Sequence, residues 1–187
     1  MNQGHIYTLY AGADPGRGWM MNDPIFGKTP TLGACVPNIR RSVEIGDWIF
    51  AISGRVSGER QFVVGGFRVR EKIDALAAYH RFPENHLRRA GNGQLPGNII
   101  ITADGEQHPQ DQHANFERRL ENYIVGGEPI VLEASQEIER ARDETLTTLS
   151  HLFGRGGNRV FDVIGRGRKM DAQQVDELRN WMASLKG

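Results

Sequence analysis

Cysteine is almost missing from this chain, with Cys35 alone among 187 residues. One thiol excludes an internal disulfide and a cysteine-based zinc site. Long hydrophobic runs are missing too, and no stretch approaches the roughly 18 apolar residues of a membrane-spanning helix. The opening run Met1-Asn-Gln-Gly-His-Ile-Tyr7 has neither the basic cluster nor the apolar core of a secretory signal. A cytoplasmic protein without a membrane partner is the expectation. Net charge is absent as well, since 23 Lys and Arg balance 23 Asp and Glu. A protein that grips long nucleic acid through phosphates carries a basic surplus, because counterion release supplies most of that affinity. Avid non-specific binding to DNA or RNA is therefore disfavoured.

What is present is ordinary for a globular protein: 39% hydrophobic and 25% charged residues. The length suits a single domain over residues 1–187 with a real core. Of the 23 basic residues, 19 are arginine. The planar guanidinium fork suits phosphate, carboxylate and base edges, although coding bias in a GC-rich genome gives the same count.

Ile6–Tyr10 reads as a first strand, followed by a long loop over residues 11–30 rich in glycine and proline. A turn of helix is expected at Asn38–Val43. Gly46-Asp-Trp-Ile-Phe-Ala-Ile-Ser53 and Gln61–Arg70 read as a hairpin, with Gly65-Gly66 marking a bulge or a close backbone approach. A helix is predicted over Glu71–Arg81, a strand at Asn98–Thr102, a helix at 112–122 and a strand at Pro129–Glu133. The apolar positions between Ser135 and Phe153 fit a helix. So do Val175, Leu178, Met182 and Leu185, behind Asp171 as cap. Strands arrive as hairpins, without regular strand–helix alternation. The expected class is α+β: an antiparallel or barrel-like sheet with flanking and C-terminal helices.

The run Cys35-Val-Pro-Asn-Ile-Arg40, followed by Gly46-Asp47-Trp48, resembles the nucleotide modification associated domain family of bacteria and phages. Gly97-Asn-Ile-Ile100, Val131-Leu132 and Gly165-Arg-Gly167 echo that pattern in order. In the first loop Met20-Met-Asn-Asp-Pro-Ile-Phe26 stands where the family carries Ala-Pro-Asn-Pro-Phe, and Val36 stands where it carries lysine. A broader similarity is to PUA-like barrels that hold flipped or modified bases, through Gly46-Asp47, the strand after it, Val64-Gly65 and Val69. The resemblance implies recognition of a modified nucleobase, nucleotide or modified DNA, in DNA modification or in phage defence or counter-defence. An enzyme of DNA base hypermodification and a regulatory interaction module without a ligand pocket are the alternatives. A homodimer is among the expected assemblies, and no cofactor is expected.

A base pocket needs a face for stacking and a few fixed polar groups for edge recognition. Candidates for stacking are Trp19, Phe26 and Trp48. Candidates for the edge or phosphate are Asn22, Asp23, Asn38, Arg40 and Arg41. Cys35 joins this ligand set, though a lone cysteine is commonly a small buried hydrophobe and no base lies beside it in sequence. The glycine-rich segments Gly154–Arg159 and Gly165–Lys169 offer Arg155, Arg159, Arg166 and Arg168 to phosphate. They contain no Gly-x-x-x-x-Gly-Lys-Ser/Thr loop, and helix ends explain their glycines equally well.

His108-Pro-Gln-Asp-Gln-His113 is the one histidine-rich run, and its spacing suits neither a helical metal pair nor an iron triad. No metal site is expected. A chelator such as EDTA should leave the thermal unfolding midpoint of the purified protein unchanged, and stoichiometric zinc or iron by elemental analysis would contradict this.

Overall fold

Trp48–Ile52 and Val63–Ile73 pair antiparallel, as their β-rich pattern predicts. The computed structural model describes residues 3–91 and 93–187. Its strands are β1 (Gly4–Thr8), β2 (Thr31–Leu32), β3 (Trp48–Ile52), β4 (Val63–Ile73), β5 (Tyr123–Val131) and β6 (Gly167–Met170). Its α-helices are α1 (Pro37–Ser42), α2 (Ala75–Arg81), α3 (Ser135–Phe153), α4 (Val160–Ile164) and α5 (Ala172–Leu185). The strands form one sheet in the order β2-β5-β4-β3-β1-β6. This order is open, so the α+β class holds but the closed PUA-like barrel does not. The departure begins at β1, which lies parallel to β3. A parallel neighbour requires a long connection rather than a hairpin, and the residues between Thr8 and Trp48 supply it.

The chain forms two compact units. The first comprises Met1–Trp19, Gly46–Arg68 and Glu128–Gly187. Here β1 pairs with β3 from Gly4–Trp48 to Thr8–Ile52, and with β6 on its other side from Gly4–Met170. In the hairpin, Ala51 faces Gly65 but Ile52 faces Val63, so Val64 is the extra residue of a bulge. Gly66 faces Phe50, where a Cβ would lie 2.3 Å from the phenyl ring. The bulge and the close approach expected of the Gly65-Gly66 pair are both present. The α5 stripe of Val175, Leu178, Met182 and Leu185 is buried, and Asp171 and Gln174 cap the helix reciprocally.

Helix α3 is less apolar on its buried side than its neighbours. Arg142 and Thr145 lie inward beside Ala141, Leu149 and Leu152. Thr145 accepts the N–H of Val63 at 3.1 Å. Arg142 donates to Asp14 at 2.8 Å and to the Arg60 carbonyl, and sits 4.7 Å above the Phe62 ring. Both members of the ion pair are buried, at 4% and 1% side-chain exposure. This pair holds the start of the long first loop against α3.

The second unit comprises Met20–Ile45 and Val69–Gly127. Ala75, Ala78, Phe82, Ile99, Ile101, Tyr123 and Val125 form its core. Three sequence expectations change here. The helix predicted from Glu71 starts at Ala75, because β4 continues to Ile73 and Asp74 caps the helix by accepting the Ala77 N–H. The segment Asn98–Thr102 is not a strand. Ile99, Ile100 and Ile101 are all buried, but among the described residues only isolated bridges to His86 and Gln107 pair this backbone. The helix predicted at 112–122 is reduced to a 3-10 turn at Phe116–Arg119.

Breaking a buried pair leaves an uncompensated charge, whereas exposed pairs contribute little. Asp14→Ala should therefore destabilise the protein by about 3–5 kcal/mol. Arg60→Ala, which removes an exposed partner of Asp143, should cost about 1 kcal/mol or less. Chemical denaturation of the two variants checks the contrast.

Candidate functional site

Ionised carboxylates accept hydrogen bonds and cannot donate them. Asp23 is buried and meets donors on both oxygens. Oδ1 accepts the N–H of Gly33 at 2.8 Å and the side-chain amide of Asn98 at 3.0 Å. Oδ2 accepts the N–H of Ala34 at 2.9 Å and that of Cys35. Three consecutive backbone N–H groups thus close around one carboxylate, an anion-holding nest made within the chain. A short antiparallel bridge between Ile25 and Thr31 sets the loop that brings Asp23 to them.

The network continues inward. The Asn98 amide also donates to Thr31 Oγ1 at 3.0 Å, and Tyr123 donates its hydroxyl to Asn98 Oδ1 at 2.8 Å. Asn85 donates to Thr31 Oγ1 and to the Tyr123 hydroxyl oxygen. All five polar side chains are buried. Gly33 fits only as glycine: a Cβ would lie 2.4 Å from both the Asn98 carbonyl oxygen and the Tyr123 ring.

Beyond the nest the chain turns into α1. Val36 adopts φ 43° and ψ 54°, a left-handed conformation that costs a β-branched residue about 1–3 kcal/mol, and Pro37 then starts the helix. Arg40 is directed inward and is fully buried. Its Nε donates to the Cys35 carbonyl at 3.0 Å, and its Nη1 to the carbonyls of Glu121 and Asn122 at 2.9 and 3.0 Å. Arg119 returns the contact by donating to the Ala34 carbonyl. The Cys-x-Pro-x-Ile-Arg run is thereby tied to residues 119–122. Burial, and then the Asp23 carboxylate, push the Cys35 thiol well above its ordinary range, so it is held as the neutral thiol.

The predicted ligand residues separate into distinct places. Asn22, Asp23, Phe26, Cys35, Asn38, Arg40 and Arg41 belong to the second unit; Trp19 and Trp48 belong to the first. Asp23 and Arg40 have their polar groups turned to the protein itself. Asn22 donates to the Leu95 carbonyl, and Phe26 is half-buried. Asn38 and Arg41 are exposed and bonded to each other at 2.8 Å. Trp19 meets Tyr10 edge-on at 5.6 Å. Trp48 is buried, stacked on Phe50 and lying 4.4 Å below the Arg179 guanidinium. Of the four phosphate candidates, Arg159 pairs with Asp162, while Arg168 lies 5.1 Å above Phe153 and donates to the Val163 carbonyl. Arg155 and Arg166 are exposed, and their side chains have no hydrogen-bond or ion-pair partner among the described residues. Thr31, Asn85, Asn98 and Tyr123 were not signalled. The one trace in the sequence is a polar asparagine opening an otherwise apolar run, Asn98-Ile-Ile-Ile101.

Burial raises the Tyr123 phenol from an ordinary value of 10.0 to about 12, more than its hydrogen bonds to Thr31, Asn85 and Asn98 lower it. The unfolded chain loses this proton near pH 10 and the folded chain only near 12. Stability should therefore fall by roughly 2–3 kcal/mol as pH rises through that window. Cys35, raised in the same sense, starts the loss from about pH 9. Tyr123→Phe should flatten the slope above about pH 10 while lowering stability near neutrality by about 1–2 kcal/mol. Urea midpoints measured across alkaline pH test this; an unchanged slope would show that Tyr123 does not control it.

The nest, the α1 turn and most of the polar network lie within one family match. Residues 21–119 match the model of nucleotide modification associated domain 2. No curated protein and no solved structure matches the chain. The family match covers just over half of the 187 residues and contains Cys35–Arg40, Gly46–Trp48 and Gly97–Ile100 of the resemblance. The chain belongs to the nucleotide modification associated domain 2 family.

Proposed function

We propose that this protein recognises a modified nucleobase or nucleotide in a DNA-modification setting, acting as a binding module. The observation that supports this reading is the buried network centred on Asp23, which lies inside the family-matched segment but for Tyr123. A recognition loop gains affinity when its conformation is set before the ligand arrives, since less ordering remains to be done on binding. Asp23 holds its loop in that way. Its neighbours Asn22 and Phe26 are half-buried and keep a solvent-facing part. An amide and a phenyl ring are the pair needed to read a base edge and to stack on a base face.

With zero net charge, affinity should come from the base rather than from a long phosphate backbone. The cellular setting we favour is cytoplasmic phage defence or counter-defence, which neighbouring genes would support or remove.

Binding is best screened with nucleotides and short oligonucleotides carrying natural and hypermodified bases. Asn22→Ala should weaken binding about three- to tenfold, as for the loss of one neutral hydrogen bond. Phe26→Ala should weaken it about tenfold or more, through lost stacking. Trp48→Ala should instead destabilise the fold by about 3–5 kcal/mol. If Asn22→Ala and Phe26→Ala bind as tightly as the wild type, the pocket is elsewhere.

A further inference from the structure

The turn Gln107–His113 in the second unit holds an oriented histidine that recognition does not require. The Asp111 side chain is 2% exposed, and His113 is 35% exposed. Asp111 Oδ2 accepts from the Gln107 amide at 2.7 Å, and Oδ1 meets His113 Nδ1 at 2.5 Å. The same amide donates to the His113 carbonyl at 3.2 Å. The backbone of the turn is fixed by Asp111 N–H to the His108 carbonyl and by His108 N–H to the Ile100 carbonyl, both at 2.8 Å. Beside it, the Thr102 hydroxyl oxygen is buried with no hydrogen-bond partner among the described residues.

Because the carboxylate can only accept, Nδ1 of His113 carries the ring proton. A neutral imidazole then presents a lone pair at Nε2. No partner for Nε2 occurs among the described residues. A buried carboxylate behind a half-exposed imidazole is the arrangement that selects a tautomer and stabilises the imidazolium formed on proton uptake. His108 is set the opposite way: its Nδ1 accepts the Gln110 N–H at 3.2 Å, so in the neutral ring its proton sits on Nε2.

We propose that His113 is a general base and Asp111 its positioning residue, serving proton transfer from a water or a ligand hydroxyl. The O–H bond breaks as the Nε2–H bond forms. The oxygen keeps the electron pair of the broken bond, and the Asp111 charge balances the imidazolium until Nε2 gives the proton back to that oxygen. Among the described residues no group of three or more His, Cys, Asp or Glu could hold a metal ion, so the dyad is not read as part of a metal-ligand set. This assignment adds chemistry to the family-matched segment and is independent of the recognition reading.

The test uses the full chain and no nucleotide. At about pH 8, where ordinary imidazoles are neutral, nitrogen-15 NMR should show His113 in the Nδ1–H form and His108 in the Nε2–H form. Diethylpyrocarbonate acylates neutral imidazole nitrogen. His113 should react about tenfold faster than His80 and His151, although both of those are more exposed. Asp111→Ala should return His113 to the Nε2–H form and remove the acceleration. Finding His113 as Nε2–H in the wild type, or acylated no faster than His80, would overturn the proposal. Because neither readout involves a base or nucleotide, such a failure is separable from a failure of recognition.

Discussion

The Asp23 carboxylate meets only donors. Buried charge is costly unless paired or hydrogen-bonded, and here two segments of chain supply the bonds: the Gly33–Cys35 backbone and the Asn98 side chain. Remove the carboxylate and three consecutive N–H groups lose their acceptor together. The conformation of the loop before β2, the entry into α1 and the placement of Asn98 all depend on that single acceptor. Arg40 plays the complementary part, a buried cation meeting main-chain carbonyls of Cys35 and residues 119–122. One anion gathers N–H groups and one cation gathers C=O groups, on either side of the Cys35-Val-Pro37 turn.

The legible parts of the fold were those in which local chemistry and burial agree. The β3–β4 hairpin joins two runs of buried apolar residues, the second interrupted by a glycine pair. Helix α5 has a capping box and a regular apolar stripe. Helix α3 was also found, although Arg142 and Thr145 break its stripe and satisfy Asp14 and the Val63 N–H instead. Where the sequence misled, the reason was non-local. Asn98–Ile101 has the composition of a strand, yet among the described residues its backbone meets isolated bridges and no neighbouring strand. Residues 71–73 have helix-compatible side chains, yet the pairing of β4 carries the strand through them. The parallel neighbour of β1, which turns an expected barrel into an open sheet, arises across a long connection that no local pattern encodes.

The site was legible as a region more than as a set of roles. Motif resemblance picked the 22–41 segment, and Asp23, Cys35 and Arg40 do meet there. Their charge chemistry, read from residue type alone, suggested ligand contact; the structure turns those groups to backbone. A side chain suited to a phosphate or a base edge is equally suited to an unpaired carbonyl or N–H, and sequence does not distinguish a ligand partner from a backbone one. Asn85, Asn98 and Tyr123 come together only through tertiary contact, so no spacing announces them. The Asp111–His113 pair was visible as a histidine-rich run. Its i, i+2 hydrogen bond, which fixes the tautomer, depends on the turn that Gln107 closes.

An open sheet has two borders where further strands could be recruited, and such borders are common starting points for aggregation. Both are blunted here. Strand β2 is only Thr31–Leu32, and its first residue is already bridged to Ile25. Strand β6 is Gly167–Met170, with Arg168 and Lys169 at its centre. A two-residue ladder gives an incoming chain little to register on, and adjacent cations repel a second copy of the same strand. Continuous sheet extension between molecules is therefore discouraged at either side. Any self-association of this protein should use helical or loop surfaces in preference to a shared sheet.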